Sequence, residues 1–396
     1  MSQTVGATST ADSASLTSKV SHMTIPLVDL AAQRAEIDEE VRVGLDRVFT
    51  TTAFVGGPQV TEFEKAYAAL TGVAHCVGVA NGTDALELAL RAVGVTSVDE
   101  VILPANTFIA TAEAVARIGA RPVLVDVDPD FLLIDPNQVA AAVTERTRAI
   151  VPVHLFGQVA PVEKLVSIAR SCGAAIVEDA AQSQGACRYG QTAGGLGVVG
   201  ATSFYPGKNL GAAGDAGAVT TDDPEIARRV RLLGAHGSEK KYQHEILGFN
   251  SRLDTIQAVV LSAKLRRLAR WNELRRSAAS RYQELLSSIE GIALPGSMDG
   301  NIDVWHLYVV RVTERDRVLN ALHQAGIGAG IHYPHPVHLT EAFGTLGYGR
   351  GCFPVAEKAA VEILSLPLYP HITDDAQRFV AEQLRAAAAS AQSQNG

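Results

Sequence analysis

The chain has 396 residues, of which 47% are hydrophobic and 19% charged, so it can bury a large core and suggests about two domains. Its net charge of −8, without any Lys/Arg run, argues against nucleic acid as a partner. The four cysteines are scattered and no apolar run could span a bilayer, so we predict no disulfide framework, no cysteine-held metal, no membrane contact and a cytoplasmic location.

Residues 1–24 are rich in Ser, Thr and Ala without an apolar centre, which predicts a disordered tail rather than a signal peptide. Short Val/Ile/Leu runs then alternate with helical patterns, as is typical of strands buried on both faces. Strands are predicted at 73–79, 101–103, 123–127, 149–153, 175–178 and 202–205, and helices at 83–93, 107–118, 136–143 and 161–171. This alternation predicts an α/β fold, a mostly parallel sheet with helices on both faces.

The last third of the chain has a different character. A long helical pattern covers residues 254–281, and a strand (304–312) and two helices (315–325 and 374–389) follow. We place a domain boundary near Trp271. The prediction is a large domain over residues 25–270 and a smaller α+β domain over residues 271–396.

Two residues at predicted strand ends indicate the chemistry. Asp179 directly follows the strand at 175–178, and Lys208 comes three residues after the strand at 202–205. Ligands of parallel sheets bind beyond the carboxyl ends of the strands, so both residues lie on the binding edge. A pyridoxal phosphate (PLP) enzyme needs such a pair, because the lysine holds the aldehyde as a Schiff base and the carboxylate keeps the ring nitrogen protonated. Taken singly, each residue could equally be a solvated loop charge or a helix cap.

A phosphate site is indicated at residues 81–85, where Asn-Gly-Thr-Asp-Ala joins a strand to a helix. A helix start offers free N–H groups, and Gly82 lets the backbone approach closely while the Thr83 hydroxyl adds a donor. Ser203, five residues before Lys208, is a second donor. An ordinary N-cap would explain the same turn.

Two other patterns point elsewhere. Residues 195–200 match G-x-G-x-x-G, but a turn precedes them and a strand pattern follows, so an NAD-dependent oxidoreductase is the weaker interpretation. His332, His335 and His338 invite a metal interpretation, which the intervening Pro334 and Pro336 disfavour because they break any helical face.

With these residues in view, the chain resembles the DegT/DnrJ/EryC1/StrS family of sugar aminotransferases, which are PLP enzymes of the aspartate-aminotransferase fold (fold type I). The similarity runs over residues 25–370. The segments that carry it are 81–86, 104–111, 178–183, 203–217 and 248–254.

The resemblance implies a role for individual residues. Lys208 resembles the Schiff-base lysine, Asp179 the partner of the ring nitrogen, and Gln182 the residue near the ring oxygen. Phe108 matches the aromatic residue that stacks on the ring. The phosphate contacts are matched by Gly82, Thr83 and Ser203, together with Asn250, which in the family reaches the phosphate of the other subunit and so implies a homodimer.

The chain also resembles one branch of the family, which aminates C3 of a dTDP-linked 3-keto-6-deoxy sugar, with L-glutamate as the expected donor, for antibiotics or surface polysaccharides. This implies a sugar and diphosphate site formed by Tyr189, Lys241 (or Lys240), His332 and Tyr333. Three alternatives stay open. They are a sugar 3-dehydrase, which would carry histidine in place of the lysine; a C4 aminotransferase acting on a dTDP- or UDP-linked 4-keto sugar; and a non-catalytic regulator on the same fold.

Overall fold

The computed structural model describes residues 24–392, and the predicted tail lies outside them except for its last residue. In chain order the strands are β1 (His75–Val79), β2 (Glu100–Pro104), β3 (Arg121–Val125), β4 (Thr147–Ile150), β5 (Ala175–Asp179), β6 (Cys187–Arg188), β7 (Gln191–Thr192), β8 (Val199–Ser203), β9 (Gly217–Thr221), β10 (Ser238–Lys240), β11 (Gln243–His244), β12 (Ile292–Ala293), β13 (Asn301–Ile302), β14 (Tyr308–Val312) and β15 (Ile363–Leu366).

The helices connect these strands and cover them. They are α1 (Leu30–Ala35), α2 (Asp38–Thr51), α3 (Pro58–Thr71), α4 (Gly82–Ala92), α5 (Ile109–Ile118), α6 (Pro136–Ala142), α7 (Val162–Cys172), α8 (Pro224–Gly234), α9 (Thr255–Leu286), α10 (Arg315–Gln324), α11 (Pro354–Glu362) and α12 (Asp374–Gln392). None of the described helices is long and apolar enough to cross a membrane.

The central sheet has seven strands in the order β1-β9-β8-β5-β4-β2-β3. All of its pairs are parallel except those that β9 makes with β1 and β8, so β9 alone runs against the other strands. The predicted mostly parallel sheet is confirmed. Since β5 and β8 are parallel neighbours, their carboxyl ends lie side by side.

Alternate residues of the strands enter different cores, which shows that both faces of the sheet are covered. Val101 and Leu103 of β2 belong to a cluster with α4, α5 and α8. Ile102, between them, belongs to a cluster with α6 and α7. In a strand neighbouring side chains point to opposite faces. This double burial explains why the strands read as continuous apolar runs rather than as alternating ones.

Some predicted elements begin or end elsewhere, and two of them show local reasons. The strand predicted at 304–312 starts at Tyr308, because Val304 and Leu307 donate their backbone N–H groups to the turn at residues 155–157 instead. The strand predicted at 202–205 is β8, which starts at Val199 and ends at Ser203. Just beyond this end, the Tyr205 backbone N–H donates a hydrogen bond to the Ser203 hydroxyl at 3.2 Å.

The C-terminal part forms a smaller sheet, β12-β14-β15, covered by α10, α12 and the end of α9. Helix α9 runs through Trp271 without a break, and Ile25, near the start of the described chain, packs into the same cluster as β14 and β15. The division into domains at residue 271 stays a prediction. A chain segment from the N-terminal side therefore helps to build the C-terminal core.

Candidate active site

A cavity of about 460 Å³ opens at the edge of the sheet where β5 and β8 end. Asp179 is the last residue of β5, and Ser203 is the last residue of β8. The loop after β8 brings Lys208 to the same cavity. Most of the predicted site residues line it: Gly82, Thr83, Phe108, Asp179, Gln182, Ser203, Lys208, His332 and Tyr333.

The Asp179 carboxylate is buried and held on both oxygens. Thr111 donates its hydroxyl to Oδ2 at 2.8 Å, and the Ala181 N–H donates to Oδ1 at 3.2 Å. Burial raises the pKa of Asp179, while these two hydrogen bonds and the charge of Lys208 lower it. The carboxylate is thus fixed in direction and ready to pair with a cationic group.

Lys208 is half-buried in the cavity wall, and desolvation there lowers its pKa to about 8 although the charge of Asp179 raises it. A lysine with a depressed pKa can act as a nucleophile or base near neutral pH. Within this chain, burial alone depresses the pKa, since the nearby charge that acts on Lys208 is negative.

The start of α4 forms a cradle against the end of β8. The Asn81 side chain caps α4 by accepting the Asp84 N–H at 2.8 Å, which leaves the first N–H groups of the helix free. A Cβ atom on Gly82 would lie only 2.5 Å from the Ser203 Cβ. Only glycine allows this approach. The helix N-terminus and the hydroxyls of Thr83 and Ser203 can therefore hold an anion in one place.

Two aromatic side chains, Phe108 and Tyr333, form another part of the cavity wall. Phe108 keeps an extended backbone before α5, so α5 begins at Ile109 and not at Thr107 as predicted. The Phe108 ring is half exposed in the cavity and lies 5.2 Å from the Tyr333 ring, centroid to centroid. Gln182 donates to the Tyr333 hydroxyl at 3.0 Å and accepts the Phe156 N–H.

Three predicted residues lie outside this cavity of the single chain. Tyr189 is exposed, and its ring packs against Gly300 and under the Arg188 guanidinium, 4.7 Å from the ring centroid, so its role at a sugar site stays a prediction. Lys241 is exposed on the hairpin β10-β11, with its ammonium 5.1 Å from the Tyr242 ring centroid. Asn250 is also exposed and accepts from Arg252 at 3.0 Å.

The G-x-G-x-x-G match has a structural explanation. The N–H groups of Gly194, Leu196 and Gly197 all donate to the carboxylate of Glu178, at 2.7–2.8 Å. Glu178 is fully buried and also bonds His154 at 2.8 Å. These glycines satisfy an internal carboxylate and no helix follows them, so they do not form a dinucleotide site.

The histidines at 332, 335 and 338 do not converge on one point. His332 bonds the Ser365 hydroxyl at 2.8 Å, His338 bonds the Glu357 carboxylate at 3.0 Å, and His335 is exposed. Across residues 24–392, no three potential metal-ligating side chains come together.

Comparison with known proteins identifies the family. The profile of the DegT/DnrJ/EryC1/StrS aminotransferase family matches residues 35–385. The chain belongs to this family. It is 44% identical to a "dTDP-3-amino-3,4,6-trideoxy-alpha-D-glucose transaminase" of Streptomyces venezuelae, over 88% of this chain and 92% of that one. It is 45% identical to a "Pleiotropic regulatory protein" of Geobacillus stearothermophilus, over 91% of this chain and 98% of that one.

A solved structure agrees. The crystal structure of S. venezuelae DesV in complex with a ketimine intermediate superposes with a TM-score of 0.90 at 43% identity, covering 92% of this chain and 98% of that one. The fold is therefore that of a fold-type-I aminotransferase, and the cofactor is PLP.

The residues of this aminotransferase fit the cofactor. The cradle at Gly82 suits a phosphate, the half-exposed Phe108 ring offers a face for a planar ring, and the buried Asp179 carboxylate can pair with a ring nitrogen. Lys208 lines the same cavity, so its amine can react there with the aldehyde of the cofactor.

Sequence reasoning missed several residues that line the cavity. Tyr205 is 59% exposed there, three residues before Lys208, and Thr111 supports Asp179. Asp215 and His306 also contribute to the wall. Only Tyr205 carried a usable signal, as an aromatic residue beside the lysine. The contacts of Thr111 and His306 depend on tertiary packing between residues far apart in sequence.

Proposed function

We propose that this aminotransferase converts a dTDP-linked 3-keto-6-deoxy sugar into the 3-amino sugar, with L-glutamate as the amino donor, in deoxyamino-sugar biosynthesis. The observation that carries the proposal is that the half-buried Lys208, with a depressed pKa, shares one cavity with the hydrogen-bonded Asp179. The 44% identity to a transaminase named for a dTDP-3-amino sugar supports the substrate class.

When bound, PLP supplies an aldehyde and an electron-accepting ring. Asp179 would hold the ring nitrogen protonated, and Phe108 would support one face of the ring. The amine of Lys208, once free, would move a proton from the donor carbon to the aldehyde carbon of the cofactor, and in the second half-reaction from that carbon to the sugar carbon. A pKa of about 8 suits a base that works in both directions near neutral pH.

The sugar side of the cavity is formed by Tyr205, His332 and Tyr333. Burial and the charge of Lys208 lower the pKa of His332 to about 4, so its imidazole is neutral and can hydrogen-bond a sugar hydroxyl. Tyr205 replaces Tyr189 in this proposal, because Tyr205 lines the cavity and Tyr189 does not.

A second copy of the chain would complete the site. Phe49, Phe54 and Val55 are large apolar residues exposed on the surface. They adjoin the segment that carries Asn250, since the Thr255 N–H donates to the Phe54 carbonyl at 3.0 Å. Exposed apolar patches mark interfaces, and twofold dimers are the commonest assemblies. We propose a homodimer in which Asn250 reaches the partner's phosphate site and Lys241 the nucleotide diphosphate.

Substitution of Lys208 tests the chemistry. Lys208→Ala should fold and bind pyridoxamine phosphate but lose turnover, because neither the Schiff-base amine nor the base remains. Lys65→Ala, an exposed lysine of α3, is the control that should leave turnover unchanged. An active Lys208→Ala protein would refute the proposal.

The substrate is tested by running the reaction backwards. The enzyme is incubated with 2-oxoglutarate and a panel of dTDP-3-amino, dTDP-4-amino and UDP-linked amino sugars, and the cofactor absorbance at about 330 nm is followed. We expect the dTDP-3-amino sugars to react fastest. Faster conversion of 4-amino sugars would overturn C3 amination and leave the transaminase chemistry intact.

A regulatory role is the second candidate, because one relative is named as a regulatory protein. The complete set of Lys208, Asp179 and the Gly82 cradle favours catalysis over it. A purified protein that shows no Schiff-base absorbance with PLP would favour the regulator.

A further inference from the structure

Residues 25–29, which precede α1, form part of the wall of the active-site cavity. Leu27 and Val28 line this cavity and are half-buried. The segment is anchored on both sides of them: Ile25 is 2% exposed in the C-terminal core, and the Asp29 carboxylate caps α1. The two apolar side chains are therefore held in place before a ligand enters the cavity.

Leu27 packs directly on the chain segment that leads to His332. The Ile25 carbonyl accepts the Gly328 N–H at 2.7 Å. A Cβ atom on Gly328 would lie only 2.7 Å from the Leu27 backbone nitrogen, so the two segments touch there and leave no space. This close contact fixes the Leu27 backbone relative to the residues that follow Gly328.

Two of those residues, Gly330 and His332, are held by the same residue of β15, Ser365. Gly330 and Ser365 exchange two backbone hydrogen bonds, at 3.1 and 2.8 Å. The Ser365 hydroxyl bonds the Nδ1 of His332 at 2.8 Å, and Ser365 is fully buried. The imidazole of His332 therefore keeps a fixed position relative to the Gly330 backbone.

Between the side chains of Leu27 and His332, Gly330 leaves a notch. A Cβ atom on Gly330 would lie 3.5 Å from the Cδ2 of Leu27 and 3.3 Å from the Cε1 of His332. Carbon atoms in good contact are about 3.5–4.0 Å apart, so the notch has about the size of one methyl group. Leu27 and His332 both line the cavity, so the notch borders it. Its Cε1 wall adjoins Nε2, the ring nitrogen of His332 that Ser365 does not contact.

We propose that the notch formed by Leu27, Gly330 and His332 binds the C6 methyl group of the sugar and makes the enzyme selective for 6-deoxy sugars. The inference rests on the proposed function, since it takes a dTDP-linked 6-deoxy sugar as the substrate. The C6 methyl is an apolar substituent on a ring that otherwise carries polar groups, and burial against Leu27 is favourable for it. A hydroxyl on C6 would lose its water there without gaining a partner from Leu27.

Three dTDP-linked ligands that differ only at C6 test the notch. They are a 3-amino-3,6-dideoxyhexose, its counterpart with a hydroxyl on C6, and the pentose counterpart that lacks C6. Their affinities for the full-length, PLP-loaded protein are measured by isothermal titration calorimetry without 2-oxoglutarate. We expect the wild type to bind the 6-deoxy sugar about tenfold or more tightly than either of the others. Equal affinities for the three ligands overturn the proposal.

Gly330→Ala fills the notch with a methyl group of the protein. Gly330 does not have a positive φ angle, and the two atoms nearest to the new Cβ belong to side chains that can shift slightly, so the variant should fold. The preference for the 6-deoxy sugar over the pentose should fall to about twofold or less, because only the hexose methyl meets the new group. Gly344→Ala, where a Cβ meets nothing within 4 Å, is the matched control and should keep the preference. An unchanged preference in Gly330→Ala refutes the notch.

Substitution of Leu27 tests the chemistry of the notch wall instead of its size. Leu27→Asn has about the same size and brings an amide that can hydrogen-bond a C6 hydroxyl. We expect the affinity for the 6-hydroxy sugar, relative to the 6-deoxy sugar, to rise by about tenfold. Leu27→Met stays apolar and should keep the wild-type preference. The same shift in both variants would mean that Leu27 only maintains the shape of the cavity, and would refute its role in selectivity.

Failure of the notch and failure of the proposed function give different results. If no dTDP-linked amino sugar is converted with 2-oxoglutarate, the proposed function fails, yet the three affinities still decide whether C6 occupies the notch. If the 3-amino sugars are converted and the three ligands bind alike, the notch fails while the proposed function stands. Absence of binding by all three ligands overturns both.

Discussion

Asp179 is a buried carboxyl group, and its surroundings both raise and lower its pKa. Burial raises its pKa, while Thr111, the Ala181 N–H and Lys208 lower it. Asp179→Asn keeps the size of the side chain and removes the charge that would hold the ring nitrogen protonated. We expect a loss on the order of 10²-fold or more in kcat, measured by steady-state kinetics. Near-normal kinetics would exclude this role.

Thr111 is the uncharged side chain that hydrogen-bonds the Asp179 carboxylate. Its hydroxyl donates to Asp179 at 2.8 Å, which favours the ionised carboxylate. Without this bond the pKa of Asp179 rises, so protonation begins at a higher pH as the solution is acidified. Thr111→Val should therefore move the acidic limb of the kcat/KM profile upward by about half a unit to one unit. Thr111→Ser keeps the hydroxyl and is the control; equal limbs in the two variants would contradict the argument.

At the scale of elements, the approach of α4 to β8 sets the anion cradle. Gly82→Ala would bring a methyl group within 2.5 Å of the Ser203 Cβ and push the helix start away from the strand. We expect PLP to bind about tenfold more weakly or worse, measured by fluorescence titration. Gly344→Ala is the matched control, since a Cβ there meets nothing within 4 Å. Equal PLP affinity in both variants would show that the cradle does not hold the phosphate.

Helix α9 carries a buried lysine with no carboxylate partner in the described chain. Burial lowers the pKa of Lys264 to about 8, and it is 7% exposed. Below pH 8 the folded state bears the cost of a buried charge; between about pH 8 and pH 10.5 the folded lysine is neutral while the unfolded one stays charged, so stability rises with pH. Lys264→Met should raise the free energy of unfolding at pH 7 by about 1–3 kcal/mol, with a smaller gain above pH 8.

Chemical denaturation at pH 7 and pH 9.5 measures both parts of this expectation. Lys65→Met, at an exposed position of α3, is the control and should change stability little. A destabilised Lys264→Met protein would contradict the prediction and would indicate that a second copy of the chain supplies a partner for the ammonium.

At the scale of the whole molecule, much of the fold could be predicted because the sheet is buried on both faces. Continuous apolar runs such as residues 101–103 of β2 are long enough to locate strands, and the alternation with helices indicates parallel order. The end of a strand could not be predicted where a side chain accepts a backbone hydrogen bond, as the Ser203 hydroxyl accepts the Tyr205 N–H. Such competition between side chain and backbone has no periodic signature.

The candidate site likewise has residues that could be predicted from the sequence and residues that could not. Lys208 and Asp179 could be predicted because each follows a strand, and the sheet edge collects them. The role of Tyr189 stays a prediction, because a resemblance between short segments does not fix where a side chain points. The support of Asp179 by Thr111, and of His306 by Asn209 and Arg275, joins residues between 31 and 97 positions apart and emerges only from packing.

Whether two chains share each site can be decided by mixing inactive variants. Lys208→Ala lacks the amine on one side of the proposed interface, and Asn250→Ala lacks the phosphate contact on the other. After unfolding or salt-induced exchange and reassociation, half of the dimers would be mixed, and each mixed dimer would hold one complete site. We therefore expect up to about a quarter of the wild-type activity. The control mixture is Lys208→Ala with Asp179→Asn: both changes affect the same half of the site, so every mixed dimer contains two damaged sites and stays inactive. Equal activity of the two mixtures, or an active enzyme that is monomeric by light scattering, would show that Asn250 serves its own chain or no site at all.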